Sequence, residues 1–175
     1  MTKAPKVEQA DKPMITATPE ATAQAKKNRF IALGLWLLAI ILEIVAIVWL
    51  LRPPFDELVA NQGFPQWRWW TLIGFVAVIG LLAIAGSLLW KKANRLDPAS
   101  RKDPVKFFIQ NQLGAFIALL AFLPLIVMIF LNKDMDSKQK GIAGAAAIIV
   151  AIAATAMGID FKPLSQEQLA VESQV

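Results

Sequence analysis

The sequence predicts an all-α integral membrane protein, a four-transmembrane-helix bundle with a disordered N-terminal tail. Three observations carry this. The 175 residues are 57% hydrophobic and only 18% charged, against about 45–50% and about 25% in a soluble domain. The excess is gathered into four apolar segments, 30–51, 70–90, 107–131 and 141–159, each near the ~20 residues that cross ~30 Å of hydrocarbon. Their interiors carry almost no charge and no polar face, whereas a soluble helix of that length would show one.

Taken in order, residues 1–29 are rich in Ala, Thr, Pro, Lys and Gln and contain Pro5, Pro13 and Pro19. This stretch is expected to be a flexible, basic, cytoplasmic tail. The first apolar segment exceeds the ~7–15 residues of a signal sequence, and the Leu51-Arg52-Pro53-Pro54 that ends it is a poor cleavage site. It is therefore expected to remain as an anchor. Pro53-Pro54 stops it. Asp97-Pro98 suggests a turn in the second loop, and Asp103-Pro104 places an N-cap acid before a first-turn proline of segment three. Asp136 and Gln139 have capping-box spacing before segment four. Gly158 and Pro163 mark its exit. In the short tail 160–175, Ser165 and Gln168 have the spacing to cap a brief helix over 166–172.

Lys and Arg set the orientation. Four spans put both tails and the second loop on one side, which then holds thirteen of the eighteen basic residues. The positive-inside rule makes that side cytoplasmic. The expected location is the cell (plasma) membrane, multi-pass, with both termini cytoplasmic. The lack of glycosylation sequons at Asn61, Asn94, Asn111 and Asn132 suits a bacterial plasma membrane. Trp49, Trp67, Trp69 and Trp70 fall at the outer boundary and Trp90 at the inner one, as an aromatic belt does. Trp36 lies two turns inside segment one and reads as a packing residue. Anchoring also explains the run Phe64–Trp70 more cheaply than a ligand-binding patch does.

The chain has no Cys and no His. That removes disulfides, thiolate nucleophiles, the usual structural zinc sites, Ser-His-Asp catalysis and imidazole bases. No cofactor and no catalytic residue are expected, and an enzyme ranks last among the functions weighed. Asp56 and Glu57 form one acidic pair on a loop and read as solvated.

Glu43 stands out. It lies 13 residues after Phe30, about 20 Å along a helix, inside hydrocarbon. A charged carboxylate at such a depth costs about 2.5–3.5 kcal/mol. It calls for a neutral, protonated acid or for a polar partner inside the bundle. Ala39, Ile40, Ala46 and Ile47 share its helical face, and the alanines let another helix approach. Segment three carries Pro124 at about the same depth. A mid-helix proline leaves the carbonyl four residues earlier, at Leu120, without its amide donor, and a protonated Glu43 is expected to donate to it. Glu43 and Pro124 are thus the candidate intramembrane site, with two readings: helix–helix glue, or a proton-linked carboxylate.

The stretch Leu38-Ala39-Ile40-Ile41-Leu42-Glu43-Ile44-Val45 resembles the first span of small multidrug resistance transporters, which have four short spans and one essential Glu in the first. The resemblance covers less than one span and implies a proton-coupled role for Glu43. This chain lacks the tyrosines of that family's binding cavity, and its charge bias is stronger.

Segment four is packed with small residues, and Ala143, Ala147, Ala151 and Thr155 recur every four positions as a helix-packing face. In segment two, Gly74, Ala77, Gly80, Ala83 and Gly86 drift around the helix and can serve more than one neighbour. The basic tail and second loop are topology determinants that also favour anionic headgroups. No nucleic-acid-binding motif is present. Gln110, Asn111 and Gln112 are expected to meet water and headgroups. Ser173-Gln174-Val175 fits a loose PDZ-ligand pattern. The expected partners are the lipid bilayer and either a second copy or a larger membrane complex. The expected function is non-enzymatic, as an accessory subunit or small oligomer acting through helix contacts. The alternative is a small proton-coupled transporter or channel using Glu43.

Overall fold

A computed structural model describes residues 18–52, 63–97 and 104–159. The described residues are all-helical: α1 (Pro19–Val45) running into a π-helical segment (Ala46–Leu51), α2 (Gln66–Leu96), α3 (Pro104–Leu131) and α4 (Ser137–Gly158). All four are long and apolar enough to cross a membrane. Exposed Leu37, Ile41, Leu81, Leu120, Leu123 and Ile149 show that each helix turns large apolar side chains outward.

Each helix starts before its apolar segment, and α2 also runs past the end of its own, because the polar residues there still favour helix. The largest difference is at α1. The tail expected to be flexible to residue 29 is helical from Pro19. Thr18 caps it, Oγ1 accepting from the Ala21 amide at 3.2 Å, Pro19 takes the first turn, and Glu20 complements the positive helix terminus. Ala25 and Asn28 then bury themselves in the bundle. With its π segment the first helix has 33 residues, about 50 Å, well beyond a ~30 Å hydrocarbon layer. The Asp136–Gln139 capping box forms at the start of α4, at 2.7 Å and 3.2 Å. The turn at Pro53-Pro54, Asp103 and the tail 160–175 lie outside the described residues.

The helices alternate in direction. Arg29 of α1 pairs with Asp97 at the end of α2 (2.9 Å), and Gly158 at the end of α4 meets Gly114 near the start of α3. At the opposite end Asn132 reaches the Leu51 carbonyl, and Trp69 donates to the Gln139 carbonyl, both at 3.2 Å. Around the bundle the order is α1, α2, α4, α3. Contact between α2 and α3 closes the centre, and α1 and α4 make no contact among the described residues.

A seven-residue alanine repeat sets the α1–α2 seam. Ala25, Ala32, Ala39 and Ala46 are all fully buried, so α2 can lie close. On α2 the buried positions Trp69, Leu72, Val76, Ile79, Ala83, Gly86, Trp90 and Ala93 alternate at three and four residues, the spacing of left-handed helix packing. The α2 glycines serve different neighbours. Gly80 lies under Val150 of α4, and Gly86 lies under the Trp36 indole of α1. Trp36 Nε1 donates to the Ala83 carbonyl (3.3 Å), and its ring packs on Trp90 at 5.3 Å. A methyl at Gly86 would collide with that indole. Gly86→Ala is therefore expected to cost about 1–2 kcal/mol, overpacking outweighing the ~1 kcal/mol gained in helix propensity. A lowered thermal midpoint in detergent checks this, and Gly74→Ala, which meets open space, supplies the reference.

Candidate functional site

Glu43 is buried inside the bundle, 3% exposed. Its flanks are the buried Ala39 and Ala46 and the half-buried Ile40 and Ile47. Its Oε1 accepts a hydrogen bond from the backbone N–H of Leu125 at 3.2 Å, across 82 residues of sequence. Leu125 directly follows Pro124, which sits inside α3. Glu43 therefore meets α3 at the residue after the proline, whose own side chain is exposed, and the bond differs from the expected one. Instead of donating to the Leu120 carbonyl, the carboxyl accepts from an amide on the C-terminal side of the proline. The proline ring crowds the preceding turn, and the group that meets Glu43 is the first amide after that interruption.

The π-helical segment begins three residues after Glu43, at Ala46, whose N–H reaches the carbonyls of both Glu43 and Leu42. Thus α1 leaves α geometry beside the carboxyl, and α3 carries its proline opposite. Short π segments occur mostly as local insertions, often at functional positions.

The small-residue face of α4 is consumed internally. Ala143 and Ala147 are fully buried, Ala151 nearly so, and Thr155 half-buried. Gly144 lies under the Phe130 ring, and Gly158 lies on the Gly114 backbone.

Two tryptophans leave the expected belt. Trp69 and Trp90 are buried, whereas Trp49, Trp67 and Trp70 are exposed. Trp90 Nε1 donates to the Gln110 carbonyl at 2.8 Å, and Asn94 Nδ2 donates to the same oxygen. Gln110, expected to face water and headgroups, is buried instead. A two-sided demand draws it in, since a single carbonyl satisfies two buried donors.

Sequence reasoning missed the polar residues on the inward faces: Asn28, Ser87, Asn94 and Asn132. Asn28, Ser87 and Asn94 sit at or next to core positions of their helices, and Asn132 follows the end of α3 three residues after the buried Ile129; that periodicity was the available signal. Asn132 also organises the α3–α4 turn, its Oδ1 accepting from the amides of Asp134 and Met135 at 2.9 Å each. A shallow pocket of about 260 Å³ lies at this end, lined by Gln66, Trp69, Asp136, Lys138, Gln139 and Ile142. Among the described residues no group of three acidic side chains is placed to hold a metal ion. Asp56, Glu57 and Ser173–Val175 lie outside the described residues.

Comparison with protein-family models, with curated proteins and with solved structures found no match to this chain.

Proposed function

We propose that the chain is a non-enzymatic, multi-pass protein of the cell membrane, both termini cytoplasmic, acting through helix–helix contacts as an accessory subunit or small oligomer. The observation that supports this is how its helix glycines divide. Gly80, Gly86, Gly114, Gly144 and Gly158 are filled by neighbours inside the bundle, but Gly34, Gly74 and Gly141 have open space before them. A glycine inside a helix costs about 1 kcal/mol relative to alanine. The internal glycines offset that cost by close packing. The three open ones, one on each of α1, α2 and α4, have no such return among the described residues. In hydrocarbon an open glycine lets another helix bring its backbone close. Gly74 is flanked on its face by exposed Trp70, Ala77 and Val78, a surface that suits a helix partner.

Native mass spectrometry from a gentle detergent tests the reading. The wild type is expected as an assembly, and Gly34→Leu, Gly74→Leu or Gly141→Leu is expected to dissolve it with helical content unchanged. A wild type that is monomeric and carries no partner would overturn it.

One observation favours a second reading, the proton-linked carboxylate. The buried Glu43 coincides with two departures from regular helix, the π segment and Pro124. Such a locus suits a carboxyl that changes state in a small transporter or channel. Proton-linked solute flux in liposomes that disappears in Glu43→Gln supports this, and flux retained in that variant removes it.

A further inference from the structure

The end of the bundle opposite Arg29 carries a pocket with its own polar groups. Its volume is about 260 Å³, and it lies between the first turns of α2 and α4. Three of its six lining residues are wall and floor, with their side-chain polar atoms already taken. Trp69 Nε1 donates to the Gln139 carbonyl, the Gln139 side chain accepts from Asp136 N and donates to the Phe64 carbonyl, and Ile142 is apolar. Phe64 N in turn donates to the Asp134 carbonyl at 2.8 Å. The residues before α2 are thereby tied to the α3–α4 turn, and the walls stand ready before any ligand arrives.

The other three, Gln66, Asp136 and Lys138, are exposed and keep polar atoms free. Asp136 uses one oxygen to cap α4, accepting from Gln139 N at 2.7 Å. Its second oxygen has no hydrogen bond among the described residues. Lys138 and Asp136 form no ion pair with each other or with another described residue. The Gln66 side chain is likewise without a hydrogen bond among the described residues. The pocket thus offers one cation, one anion and one neutral amide side by side.

The depth of the pocket says which molecules reach it. The apolar stretches of α2 and α4 begin at Trp70 and Gly141. Gln66 lies four residues before the first and Asp136 five before the second, about 6 Å and about 7.5 Å outside the hydrocarbon at 1.5 Å per residue. A headgroup layer is about 5–8 Å thick on each side of a bilayer. The exposed Ile142 and Trp70 continue from the pocket to the level of the acyl chains. Lipid headgroups are therefore the solutes most concentrated at this site. Its volume lies below the ~300 Å³ at which sites for drug-sized ligands begin, which suits a small headgroup.

We propose that this pocket binds the phosphoethanolamine headgroup of a membrane lipid, its phosphate at Lys138 and its ammonium between Asp136 and Gln66. The inference rests on the reading of the four helices as membrane spans. Lys138 meets the phosphate as a point charge. The first turns of two parallel helices, neither holding an acidic residue, add the positive end of both dipoles. The free Asp136 oxygen and the Gln66 side-chain carbonyl accept from the ammonium, whose three N–H groups are all donors. A trimethylammonium headgroup has no such donor to give. A glycerol headgroup brings no cation, so Asp136 would face its phosphate uncompensated.

The test is native mass spectrometry of the full chain released from nanodiscs that hold equal amounts of phosphatidylethanolamine, phosphatidylglycerol and phosphatidylcholine. Incorporation is read first. A chain that does not enter the discs removes the membrane reading and this site with it, whereas an incorporated chain without headgroup preference removes only this site. The wild type is expected to retain phosphatidylethanolamine about three- to fivefold over either other lipid, the worth of one exposed charge pair. Asp136→Asn keeps the cap, since Asn caps a helix as well as Asp, and is expected to abolish the preference. Lys138→Gln is expected to lower retention of all three lipids. Lys92→Gln, exposed at the Arg29 end, is expected to keep the wild-type preference. If Asp136→Asn loses helical content, Gln66→Leu carries the test in the same direction. Equal retention of the three lipids by the wild type, or a preference that survives in both Asp136→Asn and Gln66→Leu, overturns the proposal. Displacement of the retained lipid by soluble glycerophosphoethanolamine also overturns it, and assigns the pocket to a free solute of the same chemistry.

Discussion

Replacing Gly158 by Val is expected to pry α4 from α3 at the Arg29 end and to cost about 3 kcal/mol or more. A Cβ at Gly158 would lie 2.5 Å from Ala115 N and Gly114 C, and 2.9 Å from Gly114 O. These are main-chain atoms, so no rotamer change relieves the clash and one helix must move. The contact is reciprocal, because a Cβ at Gly114 would sit 3.1 Å from Gly158 Cα. Gly144 makes a useful contrast. Its neighbour is the half-exposed Phe130 ring, which can swing outward, so Gly144→Ala is expected to cost much less. Reversible unfolding in a bilayer mimic measures the difference, with Gly141→Val as the substitution that meets open space. Equal losses in Gly141→Val and Gly158→Val would show that the backbone contact is not the cause.

The second large effect is expected at Glu43. Glu43→Ala leaves the Leu125 amide without its acceptor and opens a void beside Ala39 and Ala46, together about 3 kcal/mol. Glu43→Gln keeps a carbonyl oxygen in the same place and is expected to stay within about 1 kcal/mol of wild type. Glu43→Met separates the two causes. It matches the volume and lacks a strong acceptor, so it is expected to fall between them. A Met variant as stable as wild type would mean that the Leu125 amide returns to its own helix and that the carboxyl is not needed for packing.

The number and order of helices are legible in the sequence because desolvation is a bulk property of about twenty residues at a time. The start of α1 was legible too, in Thr18-Pro19-Glu20, but composition outweighed it. A segment with three prolines and five lysines before Asn28 reads as a tail until Ala25 and Asn28 find α2. That Glu43 and Pro124 lie at about the same level could be read from depth, because two helices of known direction fix levels to within a turn. The polarity of the bond could not. Which backbone group a proline leaves pointing at its neighbour depends on how the two helices turn about their axes, and only packing decides that. The same holds for Trp90. An indole near the end of a span reads as an anchor, yet a buried acceptor at the Gln110 carbonyl drew it inward.

The bond from Leu125 to Glu43 also has a history in time. The partners are separated by 82 residues. Translation at roughly 5–20 residues per second therefore makes the carboxyl roughly 4–16 s before the amide on α3 that donates to it exists. Trp36 waits a shorter interval, because Ala83 follows it by only 47 residues. During biogenesis the α1–α2 pair forms before the Leu125 amide that Glu43 accepts from in the finished bundle. The nascent chain passes through that state at every round of synthesis, and α3 ends it.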